Sequence, residues 1–243
     1  MDIEGRVILV TGANRGLGKA YAGAFVAAGA AKVYAAARDG SRTTDATLVP
    51  IDLDVTRAEQ IEAAAARCGD VDILINNAGV MHSSPMLAEG SDAAMRHEME
   101  VNVYGTLSMI KAFAPVLARN GGGVIVNVLS VVSWFTVPFN ATYCASKHAA
   151  LAVTDGARIE LKAQGTRVIA VHAGYIDTDM AAGIGGPKTS PQQVVERTLA
   201  AIRAGDDLVL ADDRAKQVWH AMRTDPLAFA QGMQKLWDES RGR

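Results

Sequence analysis

Cysteine is scarce in this chain of 243 residues. Cys68 and Cys144 stand alone and far apart, which excludes a disulfide framework and a cysteine-based zinc spacing. Histidine is nearly as thin, and His82, His97, His148, His172 and His220 show no ligand spacing, so no metal site is expected. Neither charge sign dominates. The 24 basic and 26 acidic residues leave a formal charge of −2, with no basic stripe for nucleic acid and no polybasic stretch for anionic lipid. No apolar run approaches the ~18 residues of a membrane span. The opening Met1-Asp2-Ile3-Glu4-Gly5-Arg6 carries acids where a signal peptide carries bases. Together these gaps predict a cytoplasmic protein whose partners include neither nucleic acid nor membrane.

Short apolar runs are present in abundance, each followed by a helical stretch. Arg6–Thr11, Lys32–Ala37, Leu48–Asp52, Val71–Asn76, Gly123–Leu129, Arg167–His172 and Asp207–Ala211 read as strands. They are rich in β-branched residues and lack strict alternation, as expected of strands covered on both faces. Leu17–Ala28, Arg57–Cys68, Ser91–Asn120, Asn140–Gln164 and Pro191–Ala204 read as helices. The pattern predicts the α/β class: a doubly wound parallel sheet of about seven strands, helices on both faces, in one Rossmann-type domain spanning 1–243. Residues 181–243 then form a substrate loop and a C-terminal helical tail. The stretch from Arg38 to Leu48 is too short for a full helix, so that crossover is abbreviated.

The first strand runs into Thr11-Gly12-Ala13-Asn14-Arg15-Gly16-Leu17-Gly18-Lys19 and then a helix. Gly12 permits the tight turn, Gly16 lets backbone approach a pyrophosphate, and Gly18 allows close helix–strand packing. The helix start beyond offers unpaired N–H groups to phosphates. Such a turn in this context predicts nucleotide binding.

The spacing G-x-x-x-G-x-G resembles that of the short-chain dehydrogenase/reductase family, and the likeness extends from about Arg6 to Met180. Asn76-Asn77-Ala78-Gly79 matches the family's N-N-A-G, Asn102 its helix asparagine, Ser130 the serine ending the fifth strand, and Tyr143-Cys144-Ala145-Ser146-Lys147 its Y-x-x-x-K. The resemblance implies a hydride-transferring oxidoreductase with Asn102, Ser130, Tyr143 and Lys147 as the catalytic set. Tyr143 serves as acid/base, Ser130 donates to the substrate oxygen, and Lys147 bonds the nicotinamide ribose. Asn102 kinks its helix and holds a water that links Lys147 to solvent. Tyr143 and Lys147, four apart on one helix face, place an ammonium beside a phenol whose ordinary pKa is about 10, which, helped by an oxidised nicotinamide cation, should lower it.

An acid at the end of the second strand normally binds the ribose 2′-OH of NAD; on the family pattern that place is Ala37, followed by Arg38. A guanidinium beside a missing carboxylate favours NADP(H), with Arg15 as a second positive charge. By the same resemblance, Gly12, Asn14, Arg15, Gly16, Leu17, Gly18, Arg38, Asp54, Val55, Asn77, Ala78, Gly79, Tyr143, Lys147, Ile176 and Thr178 bind the cofactor. Asp54 alternatively caps the helix that begins near Arg57.

Two departures from the family stand out. Ala173-Gly174 replaces the usual Pro-Gly after the sixth strand, which puts the path of that loop in doubt. Beyond Asp212-Asp213 the tail carries Val218, Trp219, Met222, Phe229, Met233, Leu236 and Trp237, readable as a dimer surface, a pocket lid or a helix packed on its own domain. Trp134, Phe135, Phe139, Tyr175 and Met180 flank the catalytic residues and suggest an apolar pocket. The expected activity is that of an NADP(H)-dependent carbonyl reductase or secondary-alcohol dehydrogenase acting on a small, apolar carbonyl or alcohol, with a homodimer as a possible assembly. An NAD-linked hydroxysteroid-type or polyol dehydrogenase and a non-catalytic nucleotide-binding regulator are the alternatives.

Overall fold

In the computed structural model, which describes residues 1–241, each apolar run becomes a strand of one parallel sheet. The strands are β1 (Val7–Thr11), β2 (Lys32–Ala37), β3 (Val49–Asp52), β4 (Ile73–Asn76), β5 (Gly123–Val128), β6 (Thr166–His172) and β7 (Leu208–Leu210), in the order β3-β2-β1-β4-β5-β6-β7. The order reverses between β1 and β4, and in doubly wound sheets a ligand crevice opens at that point.

Residue alternation shows why the runs are apolar throughout. Ile8, Val10, Ile73, Ile75 and Val124 pack under α1 (Gly16–Ala27) and α6 (Pro191–Ala204). Their neighbours Leu9, Leu74, Ile125 and Val168 face the other way, under α2 (Ala58–Arg67), α4 (Thr106–Arg119) and α5 (Ala141–Leu161). Burial of apolar surface on both faces is the main stabilising term of such a sheet. The β2–β3 crossover is abbreviated as expected, to a single 3₁₀ turn at Gly40–Arg42.

The helix expected over Ser91–Asn120 is interrupted. α3 (Ser91–Met99) leads into a π-helical stretch, Glu100–Gly105, before α4 begins. At its end the loop before α2 packs closely: a Cβ at Gly105 would lie 2.8 Å from Val55 Cγ2. Taken together, Ser91–Arg119 is long enough, and in one 18-residue window of mean hydropathy 1.3 apolar enough, to cross a membrane by length and composition alone. Its apolar face, with Met109, Phe113 and Leu117 fully buried, is spent on the sheet.

The tail forms two helices rather than one, α7 (Asp213–Thr224) and α8 (Pro226–Arg241). Of the three readings, packing on its own chain is the one seen. Trp219 lies 4.8 Å from Trp134 and Phe229 packs edge-on to Phe135 at 4.8 Å, ring centre to ring centre. The tail therefore braces the segment between β5 and α5, immediately beside Tyr143.

Candidate active site

A cleft of about 890 Å³ runs along the C-terminal ends of the strands, across the switch point. Of the residues the sequence assigns to the cofactor and to chemistry, all except Asn102 line it.

One end is built for phosphates. Gly12 and Gly16 adopt left-handed backbone, at φ 66° and 52°, so that the turn can close beneath α1. A Cβ at Gly18 would sit 2.1 Å from the carbonyl oxygen of Gly12, so only glycine lets the helix approach. The N-terminus of α1 has no side-chain cap, whereas Ser190 caps α6 and Asp212 caps α7. Its open amides and positive dipole end face the cleft, a donor set that suits a pyrophosphate. Asn77 buttresses the turn, its amide donating to the carbonyls of Thr11 at 2.9 Å and Gly12 at 3.3 Å. The Thr11 hydroxyl in turn accepts from the amides of Asn77 and Ala78. These residues fit a dinucleotide.

At the far end of β2, Ala37 is buried and Arg38 is exposed on the cleft wall. Arg42, which the sequence reading missed, joins it there from the 3₁₀ turn. Asp39 also lines this end, but its carboxylate turns back to accept from the Ser41 amide and hydroxyl. Asp54 closes an Asx-type turn by accepting from Thr56 and does not cap α2 through its side chain. Arg15 departs from its expected role. Its guanidinium pairs with Asp179 at 3.1 Å, across the cleft, instead of standing free for a phosphate. Both partners are well exposed, so the pair contributes little energy. Ile176 and Thr178 lie beside the glycine turn, Thr178 within 3.2 Å of a Cβ placed on Gly16.

At the other end stand Ser130, Tyr143 and Lys147. Ser130 ends β5 and caps a short 3₁₀ turn; its hydroxyl contacts the Ala173 carbonyl and the Val132 amide, both at a long 3.4 Å. So loose a tether leaves the hydroxyl able to turn toward a substrate oxygen. The Lys147 ammonium is buried, donates to the Val128 carbonyl at 2.9 Å and lies 5.7 Å from the centre of the Tyr143 ring. Burial pushes its pKa down to about 8.

The expected lowering of the Tyr143 phenol is not what the protein alone produces. Desolvation raises it well above the ordinary value, reinforced by the negative fields of Cys144 and Glu98, while the Ser130 hydroxyl pulls the other way. Lys147 addresses the ring and a carbonyl instead of the hydroxyl, so burial wins. Tyr143 is thus held as the neutral phenol, the form that can give up a proton.

Asn102 is buried and acts as a clamp. Its Oδ1 accepts from the Val80 amide and its Nδ2 donates to the Val80 carbonyl, both at 2.9 Å, and to the Ser146 hydroxyl at 3.0 Å. This fixes the Gly79–Met81 wall of the cleft against the Tyr143 helix. It sits in the π-helical stretch Glu100–Gly105. Sequence reasoning also missed Glu98, fully buried, with one oxygen accepting from the His82 amide and the other unpartnered among the described residues.

Next to Ala173, which stands where the family has proline, Gly174 is held by a hydrogen-bonded hub. Asp212, 3% exposed, accepts from the Gly174 amide at 2.7 Å, from the Thr189 hydroxyl at 3.0 Å and from the Ala215 amide at 2.7 Å. The loop after β6, the segment leading into α6 and the start of α7 are thereby tied to one carboxylate.

The geometry agrees with what is found among known proteins. The family model for short chain dehydrogenases matches residues 6–188. A dehydrogenase/reductase SDR family protein 7-like from Drosophila melanogaster is 30% identical, over 94% of this chain and 79% of its own. A short chain dehydrogenase from Burkholderia cenocepacia, solved in complex with NADP, superposes with a TM-score of 0.93 at 42% identity, covering 96% of this chain and 99% of the other. A 3-ketoacyl-(acyl-carrier-protein) reductase from Brucella melitensis, solved with NADH, gives a TM-score of 0.77 at 27% identity, covering 85% and 96%. With this match along most of its length and a nucleotide cleft ending in serine, tyrosine and lysine, the chain belongs to the short-chain dehydrogenase/reductase family of oxidoreductases.

Proposed function

We propose that the protein is an NADP(H)-dependent carbonyl reductase or secondary-alcohol dehydrogenase acting on a small substrate with an apolar body. The observation that carries the proposal is one cleft with Arg38 and Arg42 at one end and the Ser130 hydroxyl and Tyr143 phenol at the other. When bound, the nicotinamide supplies the hydride in reduction or accepts it in oxidation. In reduction, Ser130 donates a hydrogen bond that holds the carbonyl oxygen, and Tyr143 gives that oxygen its proton. Lys147, with a pKa near 8, is within range to return a proton toward Tyr143 near neutral pH. Val132, Phe135 and Tyr175 supply the apolar wall and exclude water from the reacting centre.

The cofactor preference follows from charge. No carboxylate stands at Ala37 to receive a ribose 2′-OH, and two guanidinium groups are at hand for a 2′-phosphate. The NADP bound by the Burkholderia relative supports this. An NAD-linked enzyme would need Asp39 to turn toward the ribose, away from Ser41. The expected outcome is that NADPH binds at least about tenfold tighter than NADH, or ~1.4 kcal/mol. The double change Ala37→Asp with Arg38→Leu should reverse the order. Calorimetric titration of both cofactors decides it, and tighter NADH binding by the unmodified protein overturns the assignment.

A further inference from the structure

Most of the basic side chains on the cleft wall have identifiable business. Arg15 is paired with Asp179, Lys147 with a backbone carbonyl, and Arg38 and Arg42 stand at the 2′-phosphate end. Arg214 stands elsewhere. Among the described residues its guanidinium has no ion pair within 4.0 Å and no hydrogen bond, and the neighbouring acid Asp213 is engaged by Lys216 at 3.2 Å and Arg197 at 3.9 Å.

Its position is fixed at the reaction end. The Ser130 hydroxyl contacts Ala173, Gly174 follows, and a Cβ at Gly174 would lie 3.1 Å from Arg214 Cδ. The absence of a side chain at Gly174 is what lets the arginine stem lie there. The next residue, Ala215, is fully buried in the cluster of Val131, Val132 and Phe135 that backs Tyr143. Asp212 fixes both contacts, since the same carboxylate accepts from the Gly174 and Ala215 amides.

The fold itself gains little from a cation here. Arg214 is the second residue of α7, at the positive end of the helix dipole, where an acid is favoured and a base is not. The Asp212 cap and Asp213 already answer the dipole of α7, so the anion-binding capacity here lies in the exposed Arg214 guanidinium on the cleft wall.

We propose that Arg214 binds an anionic group on the substrate, so that the preferred substrate is an oxo or hydroxy acid: an apolar carbon skeleton with a carboxylate set apart from the reacting carbonyl or alcohol. The inference rests on the carbonyl-reductase reading above and narrows it. Arg214 is a specificity-determining residue in this account. Its task is to orient the acid so that the carbonyl meets Ser130 and Tyr143, and a planar guanidinium suits bidentate contact with a carboxylate.

The test compares 4-acetylbenzoate with its methyl ester, and straight-chain oxo acids with their methyl esters, under NADPH. Benzoate binding is measured by calorimetry in the presence of NADP as a readout independent of turnover. The protein should prefer acid over ester by about tenfold or more in kcat/KM. Arg214→Gln should erase that preference mainly through KM and weaken benzoate by a similar factor, and Arg214→Lys should restore part of both. Equal use of acid and ester by the unmodified protein, or an acid preference that survives Arg214→Gln, overturns the inference. So does a variant that weakens NADPH as much as benzoate, because the guanidinium then serves the cofactor. If neither acids nor esters are reduced, the carbonyl-reductase reading fails, and the benzoate titration still decides whether Arg214 is an anion site.

Discussion

Replacing Asp212 by alanine should be among the most damaging single changes outside the hydrophobic core. The carboxylate is 3% exposed and accepts three hydrogen bonds from three separate elements. Loss of the α7 cap at Ala215 costs about 1 kcal/mol. Leaving the Gly174 amide without an acceptor costs about 1–3 kcal/mol, and the Thr189 hydroxyl adds roughly another 1. The sum, about 3–5 kcal/mol, is a large share of the ~5–15 kcal/mol typical of a folded domain. Asp212→Asn should lose roughly half as much, because the amide oxygen can still cap Ala215 while its NH₂ cannot accept from Gly174. Urea unfolding followed by tryptophan fluorescence measures both, Trp219 lying within α7 and Trp134 against it. A loss below about 1 kcal/mol for Asp212→Ala would refute the idea that this hub ties the three elements together.

Two further outcomes follow from the geometry. Gly18→Ala should shift the glycine turn, since its Cβ would fall 2.1 Å from the Gly12 carbonyl and 2.6 Å from Asn77 Nδ2. NADPH affinity, measured by calorimetry, should drop by about tenfold or more, and unchanged binding would contradict the packing role. His172 is fully buried, stacked 3.9 Å from Trp134, with Nε2 unpartnered among the described residues, and desolvation pushes its pKa down to about 4. Between that value and an unfolded pKa of about 6.5 the unfolded chain binds the extra proton, so stability should fall as pH drops through this window, by up to about 3 kcal/mol. His172→Gln should flatten that part of the stability–pH curve; an unaltered slope would place the acid sensitivity elsewhere.

The fold and the cofactor cleft were legible in the sequence because their signals are local. An apolar run of four to six residues, a glycine turn or a Tyr–Lys spacing of one helical turn is set by backbone geometry within a few positions. Family resemblance then assigned Asn102 and Ser130, whose residue types alone say little. What stayed hidden depends on contacts distant in sequence. Nothing near Arg15 announces that Asp179 will take up its charge, and nothing near Arg214 announces that Gly174 will seat it. The effect of the protein alone on the acidity of Tyr143 stayed hidden for a related reason. Spacing places Lys147 on the same helix face, but the balance between an ammonium field and desolvation is set by the surrounding protein, which here also buries Glu98 nearby. The π-helical stretch at Asn102 was foreseen only as a kink, because i to i+5 pairing leaves no residue pattern of its own.

The central claim is that Tyr143 delivers the proton in a nicotinamide-dependent carbonyl reduction, and Tyr143→Phe tests it most directly. The change removes one hydroxyl and leaves the ring, which Lys147 faces at 5.7 Å, in place. Steady-state reduction of a carbonyl panel with NADPH, paired with calorimetric NADPH binding, separates chemistry from cofactor affinity. The account predicts that turnover falls by about 10²–10⁴-fold while NADPH binding stays within a few-fold. Turnover within a few-fold of the unmodified protein would contradict it.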